Sequence, residues 1–373
     1  MGLSTILLLC AVAAGLLAAF GARFRRVGTS VGDVAIGGLI GSLTGVLAAV
    51  VLVLAYGLDR FGVLHLLYLL VVVAIPLACL LIVVPNLLDA DYRTPVRAVG
   101  LAALGAVLAL AGVWGTHVEP TRLQVERTGL GATGVSRPIV VGVLADLHLT
   151  EVGDYERRAV DELLDAEPDI VVLPGDLYQV DGDELPLRLP EYTGLLRRIT
   201  DRVDTVVLTG GHTDDPDVVD QIAEAAGAVF LADQVLDTAV DGQPVTIAGL
   251  SHPLDDGPAT VEPELEDLVA NYRPDDLVLL VSHSPDPVLT MPARLPVDLM
   301  ISGHTHGGQV SLPGLGPILL RSDVPRVVAA GGLHLVNGHP IYVSTGVGIE
   351  RGQAPQLRFR SRPSVGILTI VPS

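Results

Sequence analysis

The chain of 373 residues has no lysine; all 23 of its basic side chains are arginine, a bias that we assign to coding composition rather than to function. It has two cysteines, Cys10 and Cys79, both inside apolar runs, so no disulfide framework can hold a folded domain together. Basic residues are outnumbered by 42 acids, for a formal charge of -19, and no basic face is available for a phosphate backbone; this excludes a nucleic-acid partner. Charge is also missing from the first third. Residues 1–116 contain four acids (Asp33, Asp59, Asp89, Asp91) and six arginines, against 38 acids and 17 arginines in residues 117–373. Half the chain is hydrophobic despite its net charge, and the split resolves that conflict: a lipid-like part precedes an acidic, soluble part.

Four apolar segments, about 3–22, 31–56, 61–88 and 96–116, each reach the roughly 20 residues that a helix needs to cross a bilayer. The first lacks the basic flank that precedes the apolar stretch of a cleaved signal peptide, and is expected to be retained. Arg23, Arg25 and Arg26 in the first connection and Arg93 and Arg97 in the third place those connections in the cytoplasm, and residues after 116 outside it. The segment centres are nearly free of ionisable groups, which weighs against transport and for an anchor. Gly37, Gly41 and Gly45 form a small-residue stripe suited to helix packing within the bundle or, alternatively, to a homodimer.

From residue 137 short β-branched runs alternate with amphipathic stretches, the pattern of an α/β domain, after a membrane-proximal connection at 117–136 whose "TRLQVER" alternates like an edge strand. Five of the expected strands end on aspartate or histidine: Asp146 and His148, Asp176, His212, His283, and His304 with His306. Functional groups gather at the carboxyl ends of strands in such sheets. Side chains at i and i+2 of a strand share a face, so Asp146 is expected beside His148, and His304 beside His306. Carboxylates and imidazoles converging from several strands form a metal site for borderline divalent ions.

The order Asp-x-His, Gly-Asp, Gly-x-His, His, Gly-His-x-His resembles the calcineurin-like metallophosphoesterase superfamily over residues 137–373, and "SGHTHGGQV" with "STGVGIERGQAPQLRFRSRP" resembles its membrane-associated bacterial branch. The resemblance implies a four-layer α/β/β/α sandwich, which follows the transmembrane four-helix anchor that the apolar segments indicate at 1–116. It implies two divalent metal ions (manganese, iron or zinc), with Asp146, His148 and His306 on the first, His283 and His304 on the second, and Asp176 bridging. It further implies phosphomono- or phosphodiester hydrolysis by a metal-activated water, with His212 as general acid. The substrate expected outside the cytoplasm is a lipid-linked or envelope phosphate ester. One departure stands out: where the family has Gly-Asn-His and then an acid, this chain has Gly210-Gly211-His212-Thr213-Asp214. The asparagine ligand of the second metal is missing, which leaves a weakened metal-binding receptor or interaction domain as the alternative, and raises the question of whether Asp214 turns in as a substitute. Arg351, Arg358, Arg360 and Arg362 are expected either to bind phosphate or to be solvated charges on the last hairpin.

Overall fold

In the computed structural model, residues 60–77, 79–80, 83, 95–180, 182–251, 276–318, 320–352 and 354–373 are described. The chain divides into two units, Met1–His117 with Glu350–Gln356, and Val118–Ile349 with Leu357–Ser373.

In the first unit, helix α1 (Arg60–Leu69) runs on through a wider turn at Leu70–Ala74, and α2 (Pro95–Val113) continues into turns at Trp114–Val118 and Glu119–Thr121. Two glycines of α2 permit close approach to the preceding apolar helix: a Cβ on Gly112 would meet Val72 at 2.8 Å, and one on Gly105 would meet Cys79 at 3.0 Å. Val99, Val107 and Leu110 of α2 are exposed, as apolar side chains facing lipid would be. Val99–Thr121 is 23 residues of mean hydropathy 1.9, long and apolar enough to cross a bilayer. It is the one such helix among the described residues, so the expected four-helix bundle is not supported. The expected segments 3–22 and 31–56 lie outside the described residues; within 61–88 the described apolar helix is Phe61–Leu77, and residues 78, 81–82 and 84–88 also lie outside the described residues.

The second unit contains two six-stranded sheets. The first is built from β1 (Gln124–Ala132), β2 (Ile139–Val143), β3 (Ile170–Pro174), β4 (Thr205–Thr209), β5 (Val229–Phe230) and the C-terminal strand β14 (Ser364–Pro372), in the order β1-β14-β2-β3-β4-β5. The second is built from β6 (Gln234–Val240), β7 (Gln243–Gly249), β8 (Leu277–Val281), β9 (Leu299–Ser302), β12 (Gly332–Val336) and β13 (His339–Val343), in the order β12-β13-β9-β8-β7-β6. β2 to β5 are parallel, as are β7, β8, β9 and β13. A two-stranded hairpin, β10 (Ser311–Leu312) with β11 (Gly316–Pro317), stands apart.

Strands such as β3 and β8 are buried throughout, which explains their unbroken apolar sequences. One face of each sheet meets the other across Val141, Val172, Val207, Ile247, Leu279 and Ile301. The first sheet's outer face is covered by α3 (Asp154–Leu164), α4 (Leu185–Thr200) and α5 (Pro216–Ala226). These helices form where their caps dictate. The Glu156 carboxylate accepts from Gly153 N–H at 2.9 Å at the start of α3. Asp215 accepts from Asp217 N–H at 3.0 Å ahead of Pro216, and Gly227 in the left-handed region closes α5. The outer face of the second sheet is described in part, since residues 252–275, between β7 and β8, lie outside the described residues. Among the described residues it is covered by a turn at Asp286–Leu289, the one-turn helix α6 (Arg326–Ala329) and loops, through Val288, Met291, Leu295 and Val328.

Candidate metal centre

The strands stop short of the residues that matter. β2 ends at Val143, and the chain then runs beside residues 175–179, with Asp146 N–H donating to Gly175 O (3.2 Å) and His148 N–H to Asp176 O (3.0 Å). This brings Asp146, His148 and Asp176 together. β9 ends at Ser302, and Gly303–Gly308 fold into a tight turn whose His304 N–H donates to Asp146 Oδ1 at 2.9 Å. A Cβ on Gly303 would lie 2.6 Å from Asp146 Oδ2, so only glycine admits that approach. Asp146, His148, Asp176, His304 and His306 all have positive φ, between 44° and 69°. Such conformations cost about 1–3 kcal/mol each and cluster where function needs them.

This backbone corrects the alternation expected from sequence. His304 and His306 sit beyond the strand, and their rings diverge. His306 Nε2 lies 3.0 Å from His148 Nε2, whereas His304 Nδ1 lies 3.1 Å from His283 Nε2. The groups of potential ligand atoms that result include Asp146, His148, Asp176 and His306, all buried, and His212, His283 and His304. Asp176 lies against both. Its Oδ2 is 3.0 Å from His212 Nδ1, 3.3 Å from His283 Nε2 and 3.5 Å from His148 Nε2, yet is buried and meets none of them in hydrogen-bond geometry. Its other oxygen is turned away by Thr213, whose N–H donates to Oδ1 at 2.9 Å and whose hydroxyl lies 3.0 Å from it.

The donor set fits divalent cations. Ligand atoms bound about 2.0–2.2 Å from one ion sit about 3–3.5 Å from each other, the spacing seen here between imidazole nitrogens and carboxylate oxygen. Titration has the same cause. Burial, with the Asp176 charge adding to it, pushes Asp146 up to about 7 against the opposing His283. Burial acts on Asp176 in the same direction but is outweighed by His283 and His148, which hold its carboxyl well below the usual range. Burial and neighbouring rings keep His304 and His306 well below the ordinary histidine value, hence neutral as metal ligands must be. His283 is raised, because Asp176 outweighs its burial.

Asp214 does not turn in. Its carboxylate accepts from the backbone N–H groups of Leu177 (2.9 Å), Tyr178 (3.3 Å) and Gly211 (2.9 Å), tying the His212 loop to the Asp176 loop. Burial and the Asp176 charge push it up to about 7. Gly211 leaves no room for the family asparagine: a Cβ there would lie 2.2 Å from Asp176 Oδ1 and 2.3 Å from its N. Gly211→Asn is therefore expected to displace Asp176, lowering stability by about 1–3 kcal/mol and weakening metal uptake, as read by thermal melts with and without added metal.

Two arginines of the site were not assigned there from sequence. Arg358 is wholly buried, so it is neither solvated nor open to phosphate; it lies 3.1 Å from His306 Nδ1 and donates to the carbonyls of Thr345 (2.8 Å) and Gly346 (3.2 Å). Arg321 brings its guanidinium to 3.2 Å from His212 Nε2, and its carbonyl lies 3.0 Å from His304 Nε2. No local motif marks either; Arg321 lies 15 residues beyond His306 on the far side of the β10–β11 hairpin.

Comparison with known proteins agrees with this geometry. Residues 139–308, which contain all seven histidine and aspartate residues of the two groups, match the calcineurin-like phosphoesterase family. The chain is 25% identical over 282 residues to the uncharacterized metallophosphoesterase YkuE of Bacillus subtilis, covering 73% of this chain and 94% of that protein. It is 27% identical over 285 residues to the phosphodiesterase YaeI of Escherichia coli, covering 73% and 97%. An uncharacterized metallophosphoesterase of Aquifex aeolicus is 27% identical over 276 residues, covering 71% and 97%. Two facing mixed sheets, a buried cluster of histidines and aspartates at their carboxyl edge, and this sequence likeness make residues 139–308 similar to the calcineurin-like phosphoesterases.

Proposed function

We propose that the protein is a membrane-anchored, metal-dependent phosphoesterase with a dinuclear centre. The observation that carries this reading is the position of Asp176 Oδ2 between the two ligand groups. Asp146, His148, Asp176 and His306 would hold one ion; His283 and His304, with Asp176 shared, would hold the other. Bound there, the ions would supply Lewis acidity toward phosphoryl oxygens and acidify water at neutral pH. His212 is the group suited to protonating the leaving oxygen. Its side chain keeps 14% of its surface exposed, its Nδ1 lies 3.0 Å from Asp176 Oδ2, and its Nε2 lies 3.2 Å from the Arg321 guanidinium. The Arg321 guanidinium is placed to accept a phosphoryl group beside it. The likeness to the phosphodiesterase YaeI favours diesters, and the Val99–Thr121 helix supports the anchor.

The test is turnover of bis-p-nitrophenyl phosphate and p-nitrophenyl phosphate by the detergent-solubilised chain, with manganese, iron or zinc added and metal content measured. We expect metal-dependent hydrolysis that chelation removes. A second reading, a binding domain without turnover, is favoured by Gly211, which contributes no ligand and admits none. One ion per chain and no hydrolysis of either ester would establish it over the first.

A further inference from the structure

Charge is unevenly distributed along residues 117–373. Residues 117–298 carry 36 acids and eleven arginines, whereas residues 299–373 carry two acids and six arginines. The second stretch supplies His304 and His306 and then makes one excursion. After the turn at His306–Gly308 the chain forms the β10–β11 hairpin and returns at Arg321, beside His304 and His212. An excursion that begins and ends on residues of the metal cluster is a rim of the site.

That rim is apolar at its tip. Leu312 is 39% exposed, Leu315 58% and Ile318 43%, and Val327 on the neighbouring α6 is 65% exposed. Single exposed apolar side chains are ordinary, but a group of them on one projection marks an interaction site. Arginines flank it. Arg326 donates to Pro317 O, which joins α6 to β11. Phe359 accepts from Ser311 N–H (2.9 Å) and donates to Gln309 O (2.8 Å), which sets the exposed Arg360 at the base of the hairpin. No acid occurs between Asp298 and Asp323.

We propose that this rim docks on an anionic bilayer: the hairpin tip enters the headgroup region, Arg326 and Arg360 meet lipid phosphates, and the phosphoester presented to the metal cluster is a lipid headgroup. Only the last clause rests on the phosphoesterase reading. Charge complementarity selects the occupant, since an anionic surface attracts this rim and repels the acidic remainder, which fixes the orientation of approach. Chain continuity agrees, because the apolar span ends at Thr121 and β1 begins at Gln124. A membrane-held domain with an apolar, arginine-flanked rim at its site meets phosphoesters where lipids carry them.

The experiment uses the full chain in nanodiscs of phosphatidylcholine alone or with phosphatidylglycerol. A bimane probe is attached at Leu315→Cys, with Cys10 and Cys79 replaced by alanine, and quenched by nitroxide on lipid headgroups. We expect stronger quenching in the anionic discs, and a fall in the docked population of about tenfold or more in Arg326→Glu/Arg360→Glu. An unquenched probe in both discs overturns the proposal. So does quenching that ignores lipid charge, or probe burial that follows protein concentration, which would assign the rim to a second copy of the chain. Hydrolysis of phosphatidylglycerol in the disc and of soluble bis-p-nitrophenyl phosphate is measured in parallel, and the ratio of the two is expected to fall about tenfold with the arginine reversals. Docking without hydrolysis of either ester would remove the phosphoesterase reading and leave docking in place. Docking with hydrolysis of the soluble ester alone would overturn the lipid-substrate clause.

Discussion

Asp176→Ala is expected to abolish metal-dependent phosphoester hydrolysis, with a loss on the order of a thousandfold or more, and to lower the metal content of the purified protein. The physical reason is that one carboxylate oxygen serves both ligand groups. Asp176 Oδ2 is the anionic atom around which His148, His212 and His283 converge, and its removal leaves three buried or half-buried imidazoles facing one another without a charge to hold them. The same substitution frees the Thr213 N–H and hydroxyl that now face Oδ1, so the His212 loop loses its anchor as well. Asp176→Asn separates the two effects. It preserves the shape and an acceptor for Thr213 but removes the negative charge, so the fold should survive while metal is lost. Elemental analysis and turnover on both variants check this; an Asp176→Asn protein that retains two ions and full turnover would remove Asp176 from the centre.

Arg358→Ala is expected to cost about 3 kcal/mol or more of stability, because it strands the buried carbonyls of Thr345 and Gly346. The guanidinium donates to Thr345 O, Gly346 O and Gly348 O at 2.8–3.2 Å, and these residues form the loop that packs on Asp146. Burial depresses Arg358 to about 10, against the raising effects of Tyr155 and Asp146, so it remains charged at neutral pH. Loss of that cation should also loosen His306, whose ring it touches and whose carbonyl is held by the Ser361 hydroxyl at 2.6 Å. Chemical denaturation would measure the stability loss and metal titration the weakened site. Arg358→Lys should recover little, since one ammonium cannot reproduce a planar fork shared among several carbonyls. Unchanged stability in Arg358→Ala would show that the loop is held by other contacts.

Much of the α/β unit was legible in the chain. Unbroken apolar runs such as "IVVLP" and "LVLLV" became strands buried on both faces, and Asp215-Pro216 with Gly227 bounded α5 because those residues satisfy helix ends and nothing else competes there. The recurrence of aspartate and histidine at strand ends pointed to the cluster. His304 and His306 do not share a face, because the strand ends at Ser302 and a turn of positive φ follows it. The role of Asp214 was open in the sequence for a related reason: a carboxylate near a site looks like a ligand until the backbone N–H groups that occupy it are placed.

Composition and order along the chain determined that an apolar segment precedes an acidic α/β unit, and which side chains could ligate metal, because hydrophobic period, caps and donor chemistry are local properties. Only the tertiary structure decided how those ligands divide into two groups, that Gly211 admits no side chain, and that Arg358 is buried while Arg321 stands at the site. Those outcomes depend on contacts between segments far apart in sequence, and on left-handed turns whose strain is balanced by the packing around them.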